Sequence, residues 1–163
     1  MSIEYGDRLI VHFFENQEGK FNGDAWPHHV TLLPWFNVPD GRHNELADEL
    51  RIIARRWGPV KVDVEGEDMF GPKNTIPVTR LGANALRAFH YNLLNTIERV
   101  GGTVRDMSFA GTKYQPHVSH GYDETLFDGL NQTTIADFTL VEKIDNRPNN
   151  REVIASYKLE GIK

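Results

Sequence analysis

Apolar positions along the chain fall into two helical stripes set among short β-like runs. Leu46, Leu50, Ile53 and Trp57 recur at i, i+4, i+7 and i+11, which predicts an amphipathic helix over residues 44–57. Gly58-Pro59 ends it, since proline cannot continue the hydrogen-bond ladder. Leu86, Phe89, Leu93, Ile97 and Val100 form a second stripe within residues 82–100, stopped by Gly101-Gly102. The stretch 8–14 is β-branched and aromatic and predicts a central strand. Residues 26–36 predict a second strand with Pro34 near its end, followed by the turn Val38-Pro39-Asp40-Gly41. Residues 60–66 alternate strictly, as a half-exposed strand does. Residues 75–81 predict another strand, which Pro77 places near a sheet edge. Residues 133–144 and 152–159 predict two closing strands joined by a turn at 146–150. Residues 15–22 and 67–74 predict loops, 103–113 is irregular, and 123–132 predicts a short helix or loop.

This order predicts a mixed α+β domain with mostly antiparallel pairing available. Each half carries one long helix and one short extended run containing histidine. The halves, roughly residues 1–72 and 73–163, therefore look like diverged copies within a single domain.

The histidine runs are the chemical signal. Pro27-His28-His29-Val30-Thr31-Leu32 and Pro116-His117-Val118-Ser119 each follow a proline and each offer His, one residue, then a hydroxyl. On a strand, positions i and i+2 share a face. His29 and Thr31 then project together, as do His117 and Ser119, while Val30, Leu32 and Val118 point to a core. One such motif is common by chance; a second in matching context, 88 positions away, is not. Two copies brought together supply a proton acceptor, a proton donor and two hydroxyls. Those groups suffice to attack a phosphodiester without a metal. His28 and His120 do not complete a four-histidine metal site, because adjacent strand residues point to opposite faces. His12, His43 and His90 are read as structural or surface residues.

Composition narrows the partners. The chain has 163 residues, enough for one domain with a sizeable core. Its net charge of −5 disfavours tracking along a long duplex, which calls for a basic surface, but leaves room for a nucleotide or an RNA end in a local pocket. It has no cysteine, which removes disulfides, thiolate metal ligands and thiol catalysis. The first eight residues are polar and charged, unlike a signal peptide, and no apolar run reaches membrane-spanning length. A cytoplasmic protein, without membrane partner and monomeric, is expected.

With these residues in view, the chain resembles the two-histidine (2H) phosphoesterases, the group that includes bacterial 2′-5′ RNA ligase-like proteins and cyclic phosphodiesterases. His29-Val30-Thr31-Leu32 matches the family's first motif and His117-Val118-Ser119 its second. The opening strand, the strand–helix over 78–102 and Gln115-Pro116-His117 are similar to the family's layout. Ser119 stands where threonine is commoner. His120-Gly121-Tyr122 replaces an apolar residue followed by a basic one.

The resemblance implies a bilobal α+β fold with a central cleft between two pseudo-symmetric lobes, no cofactor and no metal. It implies hydrolysis of a nucleotide phosphodiester, a 2′,3′-cyclic phosphate or a 2′-5′ linkage foremost. It implies His117 as the base that activates water and His29 as the acid that protonates the leaving ribose oxygen, an assignment that can be reversed. Thr31 and Ser119 would hold phosphoryl oxygens. The rivals are hydrolysis of cyclic di- or oligonucleotide signals, as in compact phage members that disarm host immunity, ligation of 2′-5′ RNA, and a catalytically silent RNA- or nucleotide-binding module.

Around the motifs, Tyr114, Trp35 and Tyr122 are the aromatic candidates for stacking on a base, against the commoner fate of packing in a core or rim. Trp26 and Phe36 are weaker candidates of the same kind. Lys113, with Arg80 and Lys73 behind it, is the candidate phosphate contact, against the commoner fate of a solvated charge.

Overall fold

The computed structural model describes residues 6–122, 124–144 and 150–162. The chain runs β1 (Arg8–Phe13), β2 (Lys20–Asn22), β3 (His29–Asn37), α1 (His43–Arg56), β4 (Val60–Phe70), β5 (Ile76–Leu81), α2 (Ala83–Arg99), β6 (Thr103–Val104), β7 (His117–Ser119), β8 (Gln132–Ile135), β9 (Asp137–Lys143) and β10 (Asn150–Lys158). Short 3₁₀ turns occupy Met107–Phe109, Gly111–Lys113 and Phe127–Gly129. The strands form one antiparallel sheet in the order β2-β10-β9-β1-β3-β7-β5-β4-β8, with β6 beside β3. The fold is α+β, as the element order predicts.

The helical stripes do what their spacing dictates. Leu46, Leu50 and Ile53 of α1 and Leu86, Phe89, Leu93 and Ile97 of α2 are buried with Val30, Leu32 and Val118 of the motif strands. Trp57 closes the α1 stripe edge-on against Phe89, with ring centroids 5.0 Å apart. Gly101 ends α2 in the left-handed region, φ 81°. Its amide donates to Glu98 and that of Gly102 donates to Ile97, so the last carbonyls of the helix are satisfied in the pattern a glycine stop permits.

The opposite face of the sheet carries a smaller cluster. Leu9, Val11, Phe13 and Val141 are buried there under Phe21, Trp26, Trp35 and Val153. The sheet is therefore apolar on both faces along β1, and β1 is central, between β9 and β3.

Several expectations need correction. β5 is not at an edge; it lies between β7 and β4. Pro77 is tolerated because its carbonyl accepts from the His120 amide just past the end of β7, so the N–H it lacks would have pointed beyond that short strand. The expected loop at 67–74 begins later, because β4 pairs with β5 as far as Phe70↔Ile76. The expected strand at 133–144 is two strands that part at Ala136. β8 pairs with β4, whereas β9 crosses to pair with β1 and β10. The expected turn at 146–150 lies outside the described residues except for Asn150, which opens β10. The polar N-terminal reading falls partly on residues 1–5, also outside them.

Candidate active site

The two motifs meet where β3 and β7 pair. Val30 faces Val118 across an antiparallel bridge, and both side chains are fully buried on the helix side. One step either way sets His29 opposite Ser119 and Thr31 opposite His117 on the other face. The structure thus brings all four motif residues together on adjacent strands.

Both imidazoles are oriented by the same device. His29 Nδ1 lies 2.8 Å from the carbonyl of Pro27, and His117 Nδ1 lies 2.8 Å from the carbonyl of Gln115, in each case two residues back. A carbonyl can only accept, so Nδ1 carries the proton and Nε2 is the nitrogen left for chemistry. Burial pushes the His29 imidazole below its ordinary pKa, and the positive charge of His117 and of His28 pushes the same way, against the Pro27 carbonyl. His29 is held neutral, with a basic Nε2.

Aromatic rings flank each histidine. Trp26 lies over His29 with centroids 4.5 Å apart, and Phe13 meets it at 6.0 Å. Phe70, at the end of β4, meets His117 edge-on at 4.8 Å. Trp26 is signalled by its place three residues before His29. Phe70 carries no sequence signal, because only the β4–β5 pairing carries it to β7. Arg80 is the β5 residue directly opposite His117, so its side chain rises on the same face.

The four expected substrate contacts fall in different places. Tyr114 is buried, not an open platform. Its ring stacks on His90 with centroids 4.1 Å apart and planes 6° apart. Its hydroxyl donates to the Thr31 carbonyl at 2.8 Å, and burial raises its pKa far above the ordinary phenol value. It supports the first motif from behind. The reason is its neighbour: His90 of α2 donates from Nδ1 to the Leu32 carbonyl and accepts the Gly111 amide on Nε2, which closes a buried lattice around the Tyr114 ring. Trp35 shares the small aromatic cluster with Trp26 and stacks under Arg151, whose guanidinium carbon is 5.0 Å from the ring centroid. Tyr122 is exposed, its hydroxyl donating to the Thr75 carbonyl. Lys113 is exposed on a 3₁₀ turn, where its charge reaches Asp106.

His28 points away from His29 and has its own partners. Its Nδ1 lies 2.5 Å from Glu15 and its Nε2 lies 2.6 Å from Glu124. The two carboxylates outweigh partial burial and raise its pKa, so both nitrogens donate. This clamp ties the first motif to the segment that follows the second. No group of three or more described residues converges as metal ligands. No helix among the described residues is long and apolar enough to cross a membrane.

Residues 10–139, which contain both motifs, match the family model described as the 2′-5′ RNA ligase superfamily. No curated protein sequence matches the chain. Among solved structures, the chain is similar to TT0787 of Thermus thermophilus, with TM-score 0.66 and 14% identity over 95% of this chain and 98% of that one. It is similar to a structure described only as a phosphoesterase, with TM-score 0.61 and 15% identity over 96% and 99%. It is also similar to E. coli LigT complexed with 3′-AMP, with TM-score 0.60 and 15% identity over 96% and 99%. At such identities the likeness shows a shared fold.

Proposed function

This chain belongs to the 2′-5′ RNA ligase superfamily, and we propose that it is a metal-independent phosphodiesterase that hydrolyses a nucleotide phosphodiester, with a 2′,3′-cyclic phosphate or a 2′-5′ linkage as the bond cleaved. The observation that carries this reading is the paired motif geometry: His29 beside Ser119 and Thr31 beside His117, with each Nδ1 tied back to a carbonyl. That arrangement supports in-line attack at phosphorus without a metal, in which one histidine serves as base, the other as acid and the hydroxyls as donors to the non-bridging oxygens.

In this reading His29 is the base. Its lowered pKa favours a neutral ring whose Nε2 takes the proton of the attacking water. His117 is then the acid, delivering a proton from Nε2 to the leaving ribose oxygen. Thr31 and Ser119 donate hydroxyl hydrogen bonds to the phosphoryl oxygens, where charge builds up. One bond to phosphorus forms from water and one to ribose breaks; each histidine ends in the other's starting protonation state.

The test is turnover in excess chelator of 2′,3′-cyclic mononucleotides, 2′-5′ and 3′-5′ dinucleotides and cyclic di- and trinucleotides. Turnover by the wild type that falls by about 10²-fold or more in a His29→Ala/His117→Ala double variant supports the reading and names the bond. Undiminished activity in the double variant overturns the site. Binding without turnover assigns a nucleotide-binding module instead.

A further inference from the structure

A cleft of about 180 Å³ opens at the entry to β7, lined by the two residues that precede His117. Its walls include Glu65, Asp68, Phe70, Arg80, Arg87 and Gln115. The strand pairing explains the placement. Gly66 lies opposite Arg80 and Asp68 opposite Val78 on β4 and β5, while Arg80 and Val78 lie opposite His117 and Ser119 on β7. These positions share one face, and Phe70 joins them two residues beyond Asp68. Gln115, whose carbonyl orients His117, is itself part of the wall. Whatever fills the cleft therefore sits against the residue that aims the acid.

The lining narrows the ligand. A phosphate would meet two carboxylates, Glu65 and Asp68. A bare cation would meet two guanidiniums, Arg80 and Arg87. A flat, neutral group with donors next to an acceptor satisfies both sets, and Phe70 offers it a ring to pack on. Asp68 and Arg80 already stand side by side, with Oδ2 3.5 Å from Nε. The other Asp68 oxygen accepts the Met69 amide at 2.8 Å, which fixes the carboxylate. Among nucleobases, guanine alone presents two adjacent N–H donors, the ring N1–H and the 2-amino group, next to a carbonyl oxygen. A carboxylate accepts the first two and a guanidinium donates to the third. Adenine, cytosine and uracil each offer only one donor group on that edge, which leaves one carboxylate oxygen without a donor from the base.

We propose that this cleft is the base subsite and that it selects guanine, with Asp68 reading the N1–H and 2-amino edge, Arg80 the carbonyl oxygen, and Phe70 packing on the ring. The subsite rests on the phosphodiesterase reading for where the phosphate lies, between the two motifs.

The experiment pairs two readouts: kcat/KM on guanosine, adenosine, cytidine and uridine 2′,3′-cyclic phosphates, and Kd for the four nucleoside 3′-monophosphates by calorimetry. Each is measured on the wild type and on Asp68→Asn, whose side chain is about half exposed at 48%. Guanine is expected to lead by about tenfold or more, the scale of one good bidentate base contact. Asp68→Asn is expected to erase that lead, read as the ratio of the guanine substrate or ligand to the other three. Equal treatment of the four bases, an undiminished guanine preference in Asp68→Asn, or no binding of any monophosphate overturns the subsite. Guanine-selective binding without turnover keeps the subsite and overturns the phosphodiesterase. Turnover indifferent to the base does the reverse.

Discussion

Val30 and Val118 face each other across the bridge that joins β3 to β7, and that pairing puts each motif's histidine opposite the other motif's hydroxyl. Both valines are fully buried under the helices. The reacting face is therefore registered by the core on the opposite side of the sheet. Val118→Ala should cost about 2 kcal/mol through lost packing and the cavity left behind. It should also lower kcat without touching substrate. Urea unfolding alongside steady-state kinetics checks both; a stability loss with unchanged kcat would show that the bridge does not set the catalytic register.

Replacing either motif histidine removes one proton-transfer partner. His29→Ala and His117→Ala should each lower kcat by about 10²–10⁴-fold, while the far-UV circular dichroism stays that of the wild type. The double variant should lose little more than the worse single one, because acid and base act in one step.

The rate should be bell-shaped in pH, and its acidic limb should belong to His29. Burial and the neighbouring imidazoles lower that pKa, so the neutral base persists to more acidic pH than a free histidine would allow. The kcat/KM profile should therefore fall on the acid side at a pH below about 6.5, the ordinary histidine value. An acidic limb at or above that value would reverse the base assignment.

The clamp of His28 between Glu15 and Glu124 makes stability depend on pH, with the sign set by its shifts. His28 has a raised folded pKa, so its contribution is fully present below the unfolded value and is lost as pH rises through the folded one. Glu124 has a lowered folded pKa, chiefly through its His28 hydrogen bond, so its contribution is present above the unfolded value and lost as pH falls through the folded one. The clamp is strongest in the window between. The Tm difference between wild type and His28→Gln should be largest at about pH 6 and shrink by about pH 9. A pH-independent difference would mean that His28 contributes only packing.

Tyr114→Phe removes the donor to the Thr31 carbonyl while leaving the stacked ring on His90. It should cost about 1 kcal/mol in stability and lower kcat more than it raises KM, because the Tyr114 hydroxyl holds the backbone of the first motif. A pure rise in KM would instead place the phenol in contact with substrate.

The sequence by itself determined the parts that local periodicity encodes. The spacing of Leu46, Leu50 and Ile53, and of Leu86, Phe89, Leu93 and Ile97, fixes both helices and the side they bury, because a helix repeats every 3.6 residues whatever its surroundings. The two-residue repeat of the motif strands likewise puts Val30 and Val118 inside and the histidines and hydroxyls outside. Tertiary structure alone decided what surrounds them. Phe70 reaches His117 and Arg80 stands opposite it only because β5 is threaded between β4 and β7. Tyr114 is drawn into the core because His90, 24 positions earlier, offers its ring a stacking partner. The stretch 133–144 reads as one strand, yet it divides at Ala136 between β4 and β1, on opposite sides of the motif strands. Strand partners distant in the chain are chosen by how whole faces pack and by which backbone groups remain to be paired, and neither is written in the alternation of any one segment.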